Sequence, residues 1–249
     1  MTTWVLLRGL TRGSGHWGSF IRSMQEQIDG AEVVALDLPG NGLLNGLSSP
    51  TTIGAMTTSC RGRLQAMGIK PPVYLLAVSM GAMVATEWAV RAPHEVSGCV
   101  LVNTSFAGIS PWYQRLRPSS YATLLSIAFA AGTSAQQEAA ILRLTSRNAR
   151  AASAVVEEWA ALRDAHPVSG NNALRQLFAA ARFRPPLVAP KPPLLVLSSG
   201  RDGLVDPRCA QVLAARWHCA SATHPWAGHD LTLDDESWVV ARIREWLAP

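Results

Sequence analysis

The sequence predicts an α/β fold, a mostly parallel sheet with helices on both faces and a helical insert over residues 106–189, before the strand that starts at Leu194. Three observations carry the prediction. Short apolar runs of strand character alternate with helix-patterned stretches from Trp4 to Ser105, as expected of parallel strands joined by crossover helices. The run Val73-Tyr-Leu-Leu-Ala-Val78 passes into a helical pattern at Ser79 with no loop residues between. The alternation lapses from Ser110 to Pro186, where only helical patterns appear, and resumes at Leu194-Leu-Val-Leu197.

A chain of 249 residues, 48% apolar and 16% charged, is long enough for one such domain with an elaboration and too apolar for disorder. No apolar run reaches the length of a membrane span. The opening Met1-Thr-Thr-Trp-Val-Leu-Leu-Arg8 has no cationic leader, and its apolar run is short for a secretion signal. Cys60, Cys99, Cys209 and Cys219 form no Cys-x-x-Cys pair, so reduced thiols, no metal and a cytoplasmic location are expected. The net charge of +5 is unevenly placed: residues 105–190 hold nine arginines against Glu138, Glu157, Glu158 and Asp164. No Arg-rich run or stacking aromatic series accompanies them, so nucleic acid is not the expected partner. A basic insert either attracts an acidic substrate or carrier protein or merely carries solvated helix faces.

In order, Trp4-Val-Leu-Leu7 reads as a buried strand, residues 17–28 as a helix and Val33-Val-Ala-Leu36 as the next strand. Gly13, Gly15 and Gly18 fit G-x-G-x-x-G, with Asp37 where a ribose-binding acid would stand. That fingerprint needs its first glycine at the strand end. Here Arg8 to Arg12 intervene, and the dinucleotide reading is set aside. Asp37-Leu-Pro-Gly40-Asn-Gly42 is a turn-rich exit. Helices follow over 51–67 and 80–92, the second stopped by Pro93, and Gly98-Cys-Val-Leu-Val102 is a further strand. Within the insert, Ser134-Ala-Gln-Gln137 reads as a capping box, and the Ala-rich stretches 149–165 and 172–181 suit helices. Leu124, Leu125, Phe129, Leu177 and Phe178 there suit either an apolar cavity roof or core-facing helices. After the strand at 194–197 come a helix over 207–216, a short strand over 219–223, the loop His224-Pro-Trp-Ala-Gly-His229-Asp230 and a last helix over 236–247.

Ser79 stands on a turn tight enough to require a positive φ, costly for a non-glycine residue. Ala77 and Gly81 flank it and are both small. The segment reads as a nucleophile elbow, G-x-S-x-G with alanine in the first glycine slot. It raises the serine hydroxyl above the sheet and aims the Met80 N–H, at a helix start, towards an oxygen that becomes negative nearby. Serine acyl transfer also needs a base and an acid to orient it. Ser79, Asp202 and His229 each follow a strand in the order Ser…Asp…His, and in an open parallel sheet such strand ends share one crevice. Asp206 competes for the acid, but it precedes Pro207 and suits a helix cap. Asn103, at the other acid position, has no charge to offer. His16, His94, His166, His218 and His224 compete for the base; of these His224 is nearest, at the strand terminus.

Taken together, Leu7-Arg-Gly9-Leu10 with Trp17, Asp37-Leu-Pro-Gly-Asn-Gly42, Ala77-Val-Ser-Met-Gly81, Arg201-Asp-Gly-Leu-Val205 and Ala227-Gly-His-Asp230 resemble the α/β-hydrolase fold over almost the whole chain. The pattern is similar to small capped bacterial serine esterases such as the acyl-carrier-protein methyl-ester esterases. The resemblance implies a core of residues 1–105 and 190–249, a helical cap at 106–189, and the Leu10 N–H as second oxyanion donor. The usual His-Gly after the first strand is Arg8-Gly9 here. Arg8 thus either binds a substrate carboxylate or phosphate, with Trp17 beside it, or forms a structural ion pair, the preferred reading. The expected function is cofactor-free hydrolysis of a small-molecule carboxylic ester or thioester, acidic or carrier-bound substrates included. A C–C hydrolase or lyase on the same scaffold, and a non-catalytic ligand-binding homologue, remain alternatives.

Overall fold

The computed structural model describes residues 2–129, 132–148 and 152–248. Six strands, β1 (Thr2–Leu7), β2 (Ala31–Leu36), β3 (Val73–Val78), β4 (Val96–Val102), β5 (Leu194–Ser199) and β6 (Ala220–His224), form one sheet in the order β2-β1-β3-β4-β5-β6. Every neighbouring pair is parallel. Leu7 stands opposite Leu36 and Ala77, and Val78 opposite Val102, so the C-terminal ends of the central strands are level. The chain winds outward from β1 to β2 and then crosses back to β3, which opens a crevice above β1 and β3.

The helices are α1 (Phe20–Gln27), α2 (Ile53–Ala66), α3 (Met80–Arg91), α4 (Trp112–Arg115), α5 (Tyr121–Phe129), α6 (Ser134–Thr145), α7 (Ala152–Ala165), α8 (Gly170–Arg182), α9 (Arg208–Trp217), α10 (Leu231–Asp234) and α11 (Glu236–Leu247). Alternation along the strands divides the core in two. Val5, Leu7, Leu75 and Ala77 face α2, α3 and α9, burying Ile53, Met56, Val84, Trp88 and Leu213. Trp4, Leu6, Leu76 and Val78 face α1 and α11, burying Phe20, Met24, Val240 and Ile243. Both faces are covered, which is why the strands read as apolar runs. No helix among the described residues is long and apolar enough to cross a membrane.

Two local expectations shift. The helix expected over 17–28 is a 3-10 turn, Ser14–Trp17, followed by α1, because Gly18 at φ 51° breaks the path between them. The capping box of α6 lies one residue earlier than expected. Thr133 takes the Gln136 N–H and the Gln136 side chain takes the Thr133 N–H, while the Ser134 hydroxyl turns to Asp164. Thr133-x-x-Gln136 and Ser134-x-x-Gln137 have the same spacing, and the neighbour that engages Ser134 decides between them. Helices α4–α8 and the turns joining them lie between β4 and β5 and reach the loops beyond the strand C-termini: Gln176 meets Thr11, Arg117 meets Asp202 and Thr145 meets Asp230. Leu174, Leu177 and Phe178 on α8 are exposed, as is Leu125 on α5. The side chain of Phe129 lies outside the described residues.

Candidate active site

Ser79 joins β3 to α3 at φ 56° and ψ −117°, a conformation a side chain occupies only when its surroundings impose it. Its N–H donates to Val102 O at 2.8 Å, and its carbonyl accepts the Thr104 hydroxyl at 3.0 Å. Gly81 permits the close approach behind it, since a Cβ there would lie 2.4 Å from Leu7 O. Gly9 packs directly against Ser79 from the end of β1. Met80 follows the serine at the start of α3 and Leu10 follows Gly9, and among the described residues neither of their N–H groups has a hydrogen-bond partner.

His229 and Asp202 are paired. Nδ1 of His229 lies 2.7 Å from Oδ2 of Asp202, and both residues are buried. The second carboxylate oxygen accepts the N–H groups of Leu204 and Val205 at 2.7 and 2.9 Å, which fixes the group's orientation. A carboxylate only accepts, so Nδ1 carries the proton and Nε2 is left as the ring's basic atom. Burial disfavours the imidazolium, but Asp202 outweighs it through charge and hydrogen bonding, and the His229 pKa is raised. No hydrogen bond joins Ser79 Oγ to His229 among the described residues; such contacts commonly tighten only when substrate is bound.

The sequence profile of the family described as alpha/beta hydrolase fold matches residues 5–235. The chain belongs to the α/β-hydrolase fold family. It is 29% identical to "Putative carbamate hydrolase RutD" of Klebsiella pneumoniae (strain 342), over 93% of this chain and 85% of that one. It is 27% identical to the pimeloyl-[acyl-carrier protein] methyl ester esterase of Serratia marcescens, over 73% of this chain and 70% of the relative. Its fold also matches the crystal structure of the enol-lactonase from Burkholderia xenovorans LB400, with TM-score 0.78 and 18% identity over 99% of this chain and 91% of that one.

In this α/β-hydrolase three of the competing side chains, Asp206, His224 and His16, are engaged elsewhere. Asp206 grips Arg208 through its N–H and guanidinium. His224 accepts the Ala227 N–H, faces Asp235 at 3.2 Å and is flanked by Trp226 and Trp238. His16 contacts Gly13 and Arg12, and burial, with help from the Arg12 and Arg8 charges, depresses its pKa to about 2. Asp37 is a clamp rather than a ribose ligand, since its carboxylate takes the N–H groups of Ser14 and Leu43 at 2.5 and 2.9 Å. Gly42 allows that wrap, because a Cβ there would fall 2.4 Å from the carboxylate.

Of the two readings of Arg8, the ion pair is the one seen. Arg8 is 4% exposed and holds Asp230 with both Nη atoms, at 3.1 and 2.5 Å. Its guanidinium lies 4.8 Å over the Trp17 ring, and Trp17 stacks on Phe20 in the core. Burial opposes ionisation of Asp230, but the Arg8 charge overcomes it and the pKa is lowered. The pair anchors the residue next to His229 to the end of β1.

Sequence reasoning missed Asn103. At φ 47° its amide nitrogen donates to Ser199 Oγ, His229 O and, at 3.3 Å, Gly228 O, while its Oδ1 accepts the Ser199 N–H. It ties the loop carrying His229 to β4 and β5. An asparagine at a strand terminus in this crevice was the available signal, read only as a missing acid.

Proposed function

We propose that this α/β-hydrolase is a serine hydrolase that cleaves a carboxylic ester or thioester through an acyl-enzyme, beneath a cap formed by α4–α8. The observation that carries the proposal is the oriented Asp202–His229 pair at the same sheet edge as a serine held at φ 56°. Ser79 Oγ attacks the acyl carbon as its proton passes to His229 Nε2. Negative charge develops on the carbonyl oxygen, where the Met80 and Leu10 N–H groups receive it. The intermediate collapses, and the leaving alcohol or thiol takes the proton from Nε2. Water then attacks the acyl carbon, giving a proton to Nε2 that returns to Ser79 as the acid departs. Asp202 holds the imidazole in its tautomer and stabilises the cation between steps. These roles need no cofactor.

The substrate proposed is a small acyl compound, acidic or carrier-bound forms included. The basic segment of residues 105–190 and the ester named in the Serratia marcescens relative support that class. The cysteines Cys60, Cys99, Cys209 and Cys219 are all free thiols, which supports a reducing compartment, the cytoplasm. A fluorophosphonate probe tests the nucleophile. Labelling is expected in the wild-type protein and absent from Ser79→Ala; labelling that persists in the variant overturns the assignment. A panel of p-nitrophenyl esters, acyl thioesters and carbamates, the last prompted by the Klebsiella pneumoniae relative, then defines the bond cleaved.

A further inference from the structure

The loop after β1 contains a second strained residue. Thr11 has φ 58°, in the left-handed region that β-branched residues avoid. Its hydroxyl donates to its neighbour's carbonyl, Leu10 O, at 2.8 Å. Its N–H donates to Oε1 of Gln176, on α8, at 2.8 Å. Gln176 lies 165 residues away in sequence and is fully buried.

The Gln176 amide has one possible orientation. The Ser49 hydroxyl spends its proton on Pro39 O, so towards Gln176 it can only accept. The Asn41 nitrogen donates to Arg12 O, which leaves its Oδ1 as an acceptor. Nε2 of Gln176 donates to both, at 2.9 Å to Ser49 Oγ and 2.6 Å to Asn41 Oδ1. Oε1 is therefore turned to Thr11 and cannot exchange places with the nitrogen. Asn172, one turn earlier on α8, reinforces the docking by accepting the Ser49 N–H at 2.9 Å and donating to Leu47 O.

We propose that Gln176 is a positioning residue for the oxyanion site: it holds the strained Thr11 backbone, and through it aims the Leu10 N–H at the acyl oxygen. Without the Gln176 acceptor, Thr11 relaxes towards negative φ, the Leu10–Thr11 peptide rotates, and the Leu10 backbone passes the change to the preceding Gly9–Leu10 peptide, which carries the donor N–H. A donor aimed at a developing charge then loses its geometry while substrate binding is spared. The inserted helices thus contribute to the chemical step as well as to access. The inference rests on the serine-hydrolase reading above.

The test compares wild type with Gln176→Leu, Gln176→Glu and Thr11→Gly, on an ester the wild type turns over. Gln176→Leu is expected to lower kcat by about 10- to 100-fold, less than outright loss of a donor, with KM changed less than about twofold. A boronic-acid transition-state analogue should lose affinity by a similar factor. Gln176→Glu keeps an acceptor for Thr11 but sets a second oxygen against the acceptors Ser49 Oγ and Asn41 Oδ1, so the loss should persist. Glycine adopts positive φ freely, so adding Thr11→Gly should shrink the Gln176→Leu penalty, which a merely structural glutamine would not show. Should Gln176→Leu not fold, Gln176→Met supplies the same comparison at similar volume. A folded Gln176→Leu with wild-type kcat and analogue affinity, or with its whole loss in KM, overturns the inference and leaves the serine-hydrolase reading standing. A wild-type protein that neither hydrolyses any ester nor takes the fluorophosphonate label overturns both.

Discussion

The side-chain amide of Asn103 donates to the backbone oxygen of His229 at 2.8 Å, so the loop carrying His229 is held by a residue at the end of β4. Asn103→Leu strands the Gly228 and His229 carbonyls and the Ser199 N–H, and forces a bulkier residue to φ 47°. A loss of about 1–3 kcal/mol in unfolding free energy is expected, with a fall in kcat, read by urea titration and steady-state kinetics. Asn103→Asp should fare no better, because a carboxylate has no proton for those carbonyls.

Asp202 is expected to matter far more to rate than to binding. Asp202→Asn presents an amide to His229 Nδ1 and disturbs the tautomer on which Nε2 depends. A fall in kcat of about 10⁴-fold is expected, at nearly constant KM. Stopped-flow acylation with a p-nitrophenyl ester checks it, and a loss confined to KM would contradict the role.

The pH dependence follows from the raised pKa of His229. In the proposed mechanism His229 works only when neutral, so kcat/KM should fall on the acid side with a midpoint above the ordinary imidazole value of about 6.5. In Asp202→Asn that midpoint should move down, because the anion that favours the imidazolium has gone. The linkage to stability has the opposite sense. The contribution of His229 is complete below the unfolded-state pKa and disappears as pH rises through the folded-state value.

The Arg8–Asp230 pair is a buried ion pair whose value lies in being intact. Arg8→Ala should destabilise the protein by about 3–5 kcal/mol by leaving Asp230 uncompensated, measured by thermal or urea unfolding. Replacing both with Met and Leu should cost much less. The lowered pKa of Asp230 means its contribution is present above the unfolded-state value of about 3.9 and is lost as pH falls through the folded-state value.

At Gly81 the prediction is steric. A Cβ there meets Leu7 O at 2.4 Å and Arg8 O at 2.6 Å, backbone atoms that cannot swing aside. Gly81→Ala should push α3 off β1, costing about 1–3 kcal/mol and lowering kcat by displacing Ser79. A Gly81→Ala protein with wild-type melting temperature and turnover would count against the close approach.

The alternation of apolar runs with helical patterns and the unbroken passage from Val78 to Ser79 were sufficient, in one dimension, to predict the parallel sheet and the positive φ of the serine. Those features arise from local sterics and from burial of both sheet faces, which leave their mark on neighbouring residues. The chain order Ser79, Asp202, His229 was also legible. Tertiary structure alone decided which distant side chains were already engaged: His224 by Asp235, Arg8 by Asp230, Thr11 by Gln176. A hydrogen bond between residues 165 positions apart leaves no periodicity to read. It exists only once the sheet and the inserted helices have brought its donor and acceptor within 3 Å, and such contacts decide which polar residues are left for chemistry.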